Sequence, residues 1–244
     1  MSTPTALVTG ASRGLGAVIA RRLAADGWAV AVNYASSTAA AEAVVADIRA
    51  AGGTAAAFRA DVTDEVAVPA MVAEVEATLG PVQVVVANAT GPQPSVAVED
   101  LTWADHLDQL RFFVLSPTLL VQAALPTMKR LGSGRVVQIG SDMVDRVLPR
   151  SSAYTAAKAA EAALTRVWSR ELGPHGVTVN LVAPGWVPVE RHDGADTAAY
   201  RAEVPMGRMG TPDDVAALVS YLASDQAGFV TGQQISVNGG HTLD

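Results

Sequence analysis

Residues 5–16 read TALVTGASRGLG, an apolar strand that runs into a glycine turn and then into a helix. Gly10, Gly14 and Gly16 allow a tight turn and let the backbone approach a bound group closely. The helix that follows presents free N–H groups and a positive dipole end, which suits a pyrophosphate. The spacing is Gly-x-x-x-Gly-x-Gly, not the more widespread Gly-x-Gly-x-x-Gly. Taken alone such a turn can be purely structural; after the first strand of an alternating β/α chain it reads as a phosphate cradle.

Working outward, apolar strand-like runs alternate with helical patterns. The runs are Thr5–Thr9, Trp28–Asn33, Thr54–Ala60, Val82–Ala87, Arg135–Gly140, Val177–Ala183 and Gln234–Val237. Helical spacing of apolar residues covers Leu15–Asp26, Thr38–Ala51, Asp64–Leu79, Trp103–Arg130, Ala153–Leu172 and Pro212–Ala223. Strands that are apolar throughout and separated by helices predict a parallel sheet covered on both faces. The expected class is α/β, one doubly wound domain over residues 1–244 with a seven-stranded parallel sheet, and no linker or low-complexity tract divides it.

Ligands of such sheets sit at the carboxyl ends of the strands. After strand two comes Asn33-Tyr34-Ala35-Ser36-Ser37, without a carboxylate to meet a ribose 2′-hydroxyl, while Arg13 in the glycine turn is available for a 2′-phosphate or is simply solvated. The balance favours NADP(H) over NAD(H). Strand three ends in Asp61-Val62-Thr63 and strand four in Asn88-Ala89-Thr90. Asp61 reads equally as a ligand to a nucleotide or as a helix cap.

The chemistry concentrates in residues 138–158, QIGSDMVDRVLPRSSAYTAAK. Ser141 stands at a strand tip, Tyr154 starts a helix, and Lys158 lies one turn on, so the two share a helix face. A neighbouring ammonium favours the phenolate, making the hydroxyl a usable acid or base near neutrality. Of 17 basic residues all but Lys129 and Lys158 are arginine, and a compact ammonium of tunable pKa is what such work needs.

Composition excludes several classes. Half the residues are hydrophobic and 17% charged, which rules out disorder. A net charge of −7 argues against nucleic acid and anionic membrane partners. There is no cysteine, hence no disulfide or thiolate chemistry. The four histidines are scattered, so no metal site is expected, and none is placed to join Asp142 and Ser141 in a hydrolase relay. With no long apolar run or leader-like segment, the expectation is a cytoplasmic protein that does not cross a membrane.

Together, TGASRGLG at 9–16, DVT at 61–63, NA at 88–89, Ser141, Tyr154 with Lys158, Pro184-Gly185 and VTGQQISVNGG at 230–240 resemble the short-chain dehydrogenase/reductase family over nearly the whole chain. Within it the chain is similar to 3-oxoacyl-carrier-protein reductase-like members. The resemblance implies a Rossmann-like fold and NADPH-dependent reduction of a ketone or 3-oxoacyl group, with a small carbonyl compound or an acyl thioester as substrate. It implies Tyr154 as proton donor, Lys158 lowering its pKa and binding the nicotinamide ribose, and Ser141 orienting the carbonyl. Gly10, Ser12, Arg13, Leu15 and Gly16 would hold phosphates and the adenosine ribose, with Asn33, Tyr34 and Ser36 beside them. Asp61 and Val62 would meet adenine; Asn88, Ala89 and Thr90 would line the cofactor; Pro184, Gly185 and Val187 would border the nicotinamide. A loop over about residues 186–206 would close on substrate. Pocket candidates are Gln93, Pro94, Met143, Val144, Leu148, Trp186 and Met206, with Trp186 equally readable as core. Lys129, Arg130 and Arg135 form a candidate basic patch for an acidic carrier. Relatives are commonly homotetramers, and alanines along the Tyr154 helix fit close approach between subunits or within one.

Three positions depart from that pattern. Phe113 stands where relatives often carry an asparagine, Thr90 replaces a glycine, and Val189 replaces a threonine. They leave a second reading open, a dinucleotide-binding regulator or scaffold with weakened turnover.

Overall fold

The computed structural model describes residues 4–243. Seven parallel strands lie in the order β3-β2-β1-β4-β5-β6-β7: β1 Thr5–Val8, β2 Ala29–Tyr34, β3 Thr54–Arg59, β4 Val82–Ala87, β5 Gly134–Ile139, β6 Val177–Pro184 and β7 Gln234–Val237. The order reverses between β1 and β4, so a crevice opens above their carboxyl ends. Strands β1, β2, β5 and β6 are buried along their whole length, as expected of strands covered on both faces.

Helices α1 (Gly14–Ala25) and α2 (Thr38–Ala50) cover one face together with α9 (Pro212–Ala223), through Ile19, Leu23, Val44, Ile48, Val215 and Leu222. The other face packs α3 (Ala67–Leu79), α5 (Ser116–Leu131) and α7 (Ser152–Leu172), through Val68, Val75, Leu120, Met128 and Leu172. Short helices α4 (Trp103–Leu110), α6 (Met143–Arg146) and α8 (Ala198–Glu203) complete the set.

The sequence reading places every strand to within a residue or two at each end. Its helices need three adjustments. Helix α3 starts at Ala67, not Asp64, because the Asp64 carboxylate accepts from the amides of Val66 (2.8 Å) and Ala67 (2.9 Å) and so caps the helix from outside. The helix expected over Trp103–Arg130 is interrupted by a π turn at Arg111–Leu115. Pro117 has no N–H for the carbonyl four residues back, that of Phe113, so the regular ladder fails there and a wider turn fits. Helices α6 and α8 are too short to carry a periodic signal. The whole segment Trp103–Leu131 is long and apolar enough to cross a membrane by length and composition. It lays Leu120, Ala124 and Met128 against the sheet as a core helix.

Among the described polar side chains buried in the sheet, one large amide is left without a partner. Gln138 of β5 is fully buried, and its amide makes no hydrogen bond to the described residues. An unpartnered buried amide costs roughly 1–3 kcal/mol. Gln138→Met keeps the volume and removes the polar atoms, so it is expected to raise the midpoint of thermal unfolding by ~2–4 °C for each kcal/mol recovered. A melt in which the variant is no more stable than the parent contradicts this account.

Candidate active site

The crevice is built from strand tips. Thr9 Oγ1 accepts from the amides of Asn88 (2.9 Å) and Ala89 (3.0 Å), and Asn88 Nδ2 donates to the Thr9 carbonyl at 2.8 Å. These bonds lock the ends of β1 and β4 across the point where the order reverses. Gly10 turns with φ +60°, and its amide donates to Asn33 Oδ1 at 3.2 Å. At Gly16 a β-carbon would come within 2.6 Å of the Gly10 carbonyl, so that glycine is set by close packing. No side chain caps the start of α1 after Arg13, which leaves its first N–H groups facing the crevice.

A cavity of about 1510 Å³ runs along this edge. At one end its wall is Gly10, Ser12, Arg13, Leu15 and Gly16, with Asn33, Tyr34 and Ser36 from β2 and Asp61 and Val62 after β3. The middle is Asn88, Ala89 and Thr90, with Pro184, Gly185 and Val187 opposite. The far end holds Ser141, Tyr154 and Lys158 together with Gln93, Pro94, Met143, Leu148 and Trp186. Uncapped amides, glycines without room for a side chain and a long cleft suit a dinucleotide laid across the strand tips.

Some residues are engaged differently from the sequence reading. The Asn33 carboxamide is wholly buried and spent on the protein, donating to Ala60 O at 3.1 Å besides holding Gly10. Asp61 Oδ1 accepts from the Thr63 amide and hydroxyl, a turn cap, while the residue still faces the cavity. Val144 and Met206 are not part of the wall. Val144 follows Met143 on α6, a helical step away from the cleft, and Met206 is 65% exposed. The candidate basic patch also lies elsewhere. Arg135 is buried at the start of β5, the sheet edge opposite the cleft, paired with Asp225 at 3.1 Å, and Lys129 and Arg130 end α5 beside it. The cations on the cavity wall are instead Arg13, Arg146, Arg150 and Lys158.

Ser141 follows β5 and its Oγ accepts from the Met143 amide at 3.2 Å. Tyr154 opens α7, and the Phe113 ring meets it edge-on at 5.4 Å between centroids. Lys158 is 4% exposed, and its ammonium donates to the Ile139 carbonyl at 2.6 Å and to Glu161 Oε2 at 2.9 Å. The face of Phe113 covers the same ammonium at 3.6 Å from its ring centroid, and the Tyr154 ring centroid lies 5.8 Å away. Burial pushes the Glu161 carboxyl up to about 7, against the downward pull of Lys158.

Sequence reasoning missed Glu161. Its signal was present: an acid three residues after Lys158 in an alanine-rich run shares that lysine's face. A second cluster had no local signal. His241, from the tail after β7, places Nδ1 3.5 Å from Asp142 Oδ2 and Nε2 3.2 Å from Glu203 Oε2. A histidine therefore does reach Asp142, contrary to the sequence reading. Both its nitrogens face carboxylates, so neither is left for Ser141 and no hydrolase relay forms. Burial raises the Asp142 carboxyl above its ordinary value, opposed chiefly by Arg146. The Tyr200 ring of α8 packs at a tilt against His241, 4.6 Å between centroids, and its hydroxyl accepts from the Trp186 amide at 2.8 Å. Trp186, set edge-on against Tyr200 at 5.5 Å, is thus both cavity wall and packing element.

Known proteins are similar to this chain over its whole length. The family model described as Enoyl-(Acyl carrier protein) reductase matches residues 10–242. A 3-oxoacyl-[acyl-carrier-protein] reductase of Staphylococcus aureus is 40% identical over 243 residues, covering 98% of both chains. A crystal structure of a dehydrogenase/reductase from Sinorhizobium meliloti superposes with a TM-score of 0.92 at 38% identity, over 100% of this chain and 96% of that one. A blue fluorescent protein from a metagenomic library, solved in complex with NADPH, gives a TM-score of 0.92 at 35% identity over 99% of each chain. With a doubly wound sheet, a glycine turn at its switch point and relatives spanning its full length, this chain belongs to the short-chain dehydrogenase/reductase family of NAD(P)-dependent oxidoreductases.

Proposed function

We propose that the protein reduces a ketone or 3-oxoacyl group to a secondary alcohol with NADPH, reversibly. The observation that carries this reading is the shared wall: Ser141, Tyr154 and Lys158 line one end of a cleft whose other end is the glycine turn and the open start of α1. The nicotinamide, when bound, supplies the hydride. Tyr154 donates its hydroxyl proton to the carbonyl oxygen as the carbon is reduced. The Ser141 hydroxyl orients that oxygen, and the Lys158 ammonium supports the phenolate left behind. Ser12, Leu15 and Gly16 hold the pyrophosphate on backbone amides, Gly10 lets the turn approach it closely, and Asp61 with Val62 borders the adenine.

Preference for the 2′-phosphate rests on charge. The wall at residues 33–37 carries no carboxylate, and Arg13 stands exposed beside it. The name carried by the Staphylococcus aureus relative makes 3-oxoacyl thioesters the first class to screen, followed by free ketones. We extend the reading to a homotetramer: Ala156, Ala159 and Ala163 leave a small-residue strip of α7 exposed, whereas Ala157 and Ala162 pack inside the subunit.

A second reading is a dinucleotide-binding regulator with weakened turnover. It draws on the engagement of Lys158 by Glu161 and Phe113. Tyr154→Phe separates the two. On the first reading it lowers kcat by ~10²–10⁴-fold in an NADPH-consumption assay over 3-oxoacyl thioesters and ketones, with the NADPH Kd unchanged. Equal rates for parent and variant, or tight NADPH binding without turnover, favour the regulator. Arg13→Ala is expected to raise the NADPH Kd by about tenfold, the loss of one charge-assisted contact, and to leave the NADH Kd unaffected. Parallel losses for both nucleotides in fluorescence titrations refute the assigned role of Arg13.

A further inference from the structure

Glu161 has no part in the chemistry assigned above, yet it is in direct contact with the residue supporting Tyr154. An ammonium has three hydrogens. At Lys158 one goes to the Ile139 carbonyl, one goes to Glu161 Oε2, and the face of Phe113 closes the remaining side. Lys158, Glu161 and Phe113 are 4%, 2% and 3% exposed, so water screens none of these contacts. A lone ammonium would project a full positive charge onto the phenol. With a carboxylate 2.9 Å away, what reaches Tyr154 is the weaker field of an ion pair.

Stability is a poor explanation for the pair. A buried ion pair gains little over apolar side chains of the same volume. The flanking residues Ala157, Ala159, Ala160 and Ala162 make an apolar neighbour the simpler choice at this position.

We propose that Glu161 is a positioning residue: ionised, it holds Lys158 back against Ile139 and offsets its charge, and protonated, it frees the ammonium to act on Tyr154. The inference rests on the reductase reading above. The upward displacement of the Glu161 carboxyl by burial brings this change of state close to neutrality.

Other charges near α7 do not compete. Helix α4 contributes Asp105, His106 and Asp108, the π turn Arg111, α6 Asp145 and Arg146, and the turn after α7 His175; β6 carries no ionisable side chain. On α7 itself the remaining groups are Tyr154, Arg166, Arg170 and Glu171. Of all these, Lys158 is the charge that acts on Glu161.

The test compares kcat/KM for carbonyl reduction between about pH 6 and 8 in the parent and in Glu161→Gln. The parent is expected to gain activity by about threefold or more as the pH falls through the Glu161 transition, and Glu161→Gln to stay at the acidic level throughout. Glu161→Asp keeps the charge but is one methylene short, and it should displace the transition; it serves also if the Gln variant does not fold. A readout without turnover is the thermal midpoint of the nucleotide-free protein. A carboxyl raised in the folded state contributes stability that is complete below its unfolded value and lost as pH rises through its folded one. The midpoint of the parent relative to Glu161→Gln should therefore fall between about pH 5 and 8. Coincident activity profiles for an active parent and its Gln and Asp variants overturn the inference alone. A parent that reduces no carbonyl overturns the reductase reading and this inference with it, while a pH-independent midpoint difference removes the titration on which it stands.

Discussion

Everything at the functional edge depends on the clasp between Thr9 and Asn88. Parallel strands end with amides and carbonyls that have no neighbour to pair with, and at a switch point two such ends diverge. Here the Thr9 hydroxyl takes the Asn88 and Ala89 amides, and the Asn88 carboxamide returns a bond to Thr9. The tips of β1 and β4 stay joined while their connections leave on opposite faces. Gly10 and Gly16 then fold tightly over that clasp, and the start of α1 is aimed along the cleft.

Much of this was legible in the chain because the signals are local. Runs such as VQVVVA and VTVNLVAP are apolar at most positions without alternating, which is the pattern of strands buried on both faces. The glycine turn, the Tyr154–Lys158 pair and Ser141 at a strand tip each follow from spacing within a few residues. Asp64 misled because an acid before a helical run looks like its first residue, whereas its carboxylate serves the amides from outside. Arg135 misled although its position at the start of β5 already puts it at the amino ends of the strands, away from the edge that holds ligands. The Tyr200–Trp186 bond and the Asp142–His241 contact join residues far apart in the chain, and no periodicity reports on them.

Phe113 shows how one proline and one aromatic change the environment of a charge. The π turn before Pro117 carries Phe113 inward, where its edge meets Tyr154 and its face meets Lys158. A ring cannot accept the ammonium's hydrogen bond as an amide would, but its quadrupole attracts the cation and excludes water. The nearest strong acceptors are then the Ile139 carbonyl and Glu161. The departure at 113 and the acid at 161 meet on the same ammonium.

The contacts of His241 with Asp142 and Glu203 have a bearing on how distant segments move together. Asp142 adjoins Ser141 near the middle of the chain, and Glu203 ends α8, yet both meet a side chain that lies beyond β7. One imidazole set between two carboxylates thus couples the turn after β5 to the end of α8, and a displacement of the tail is felt at both places at once.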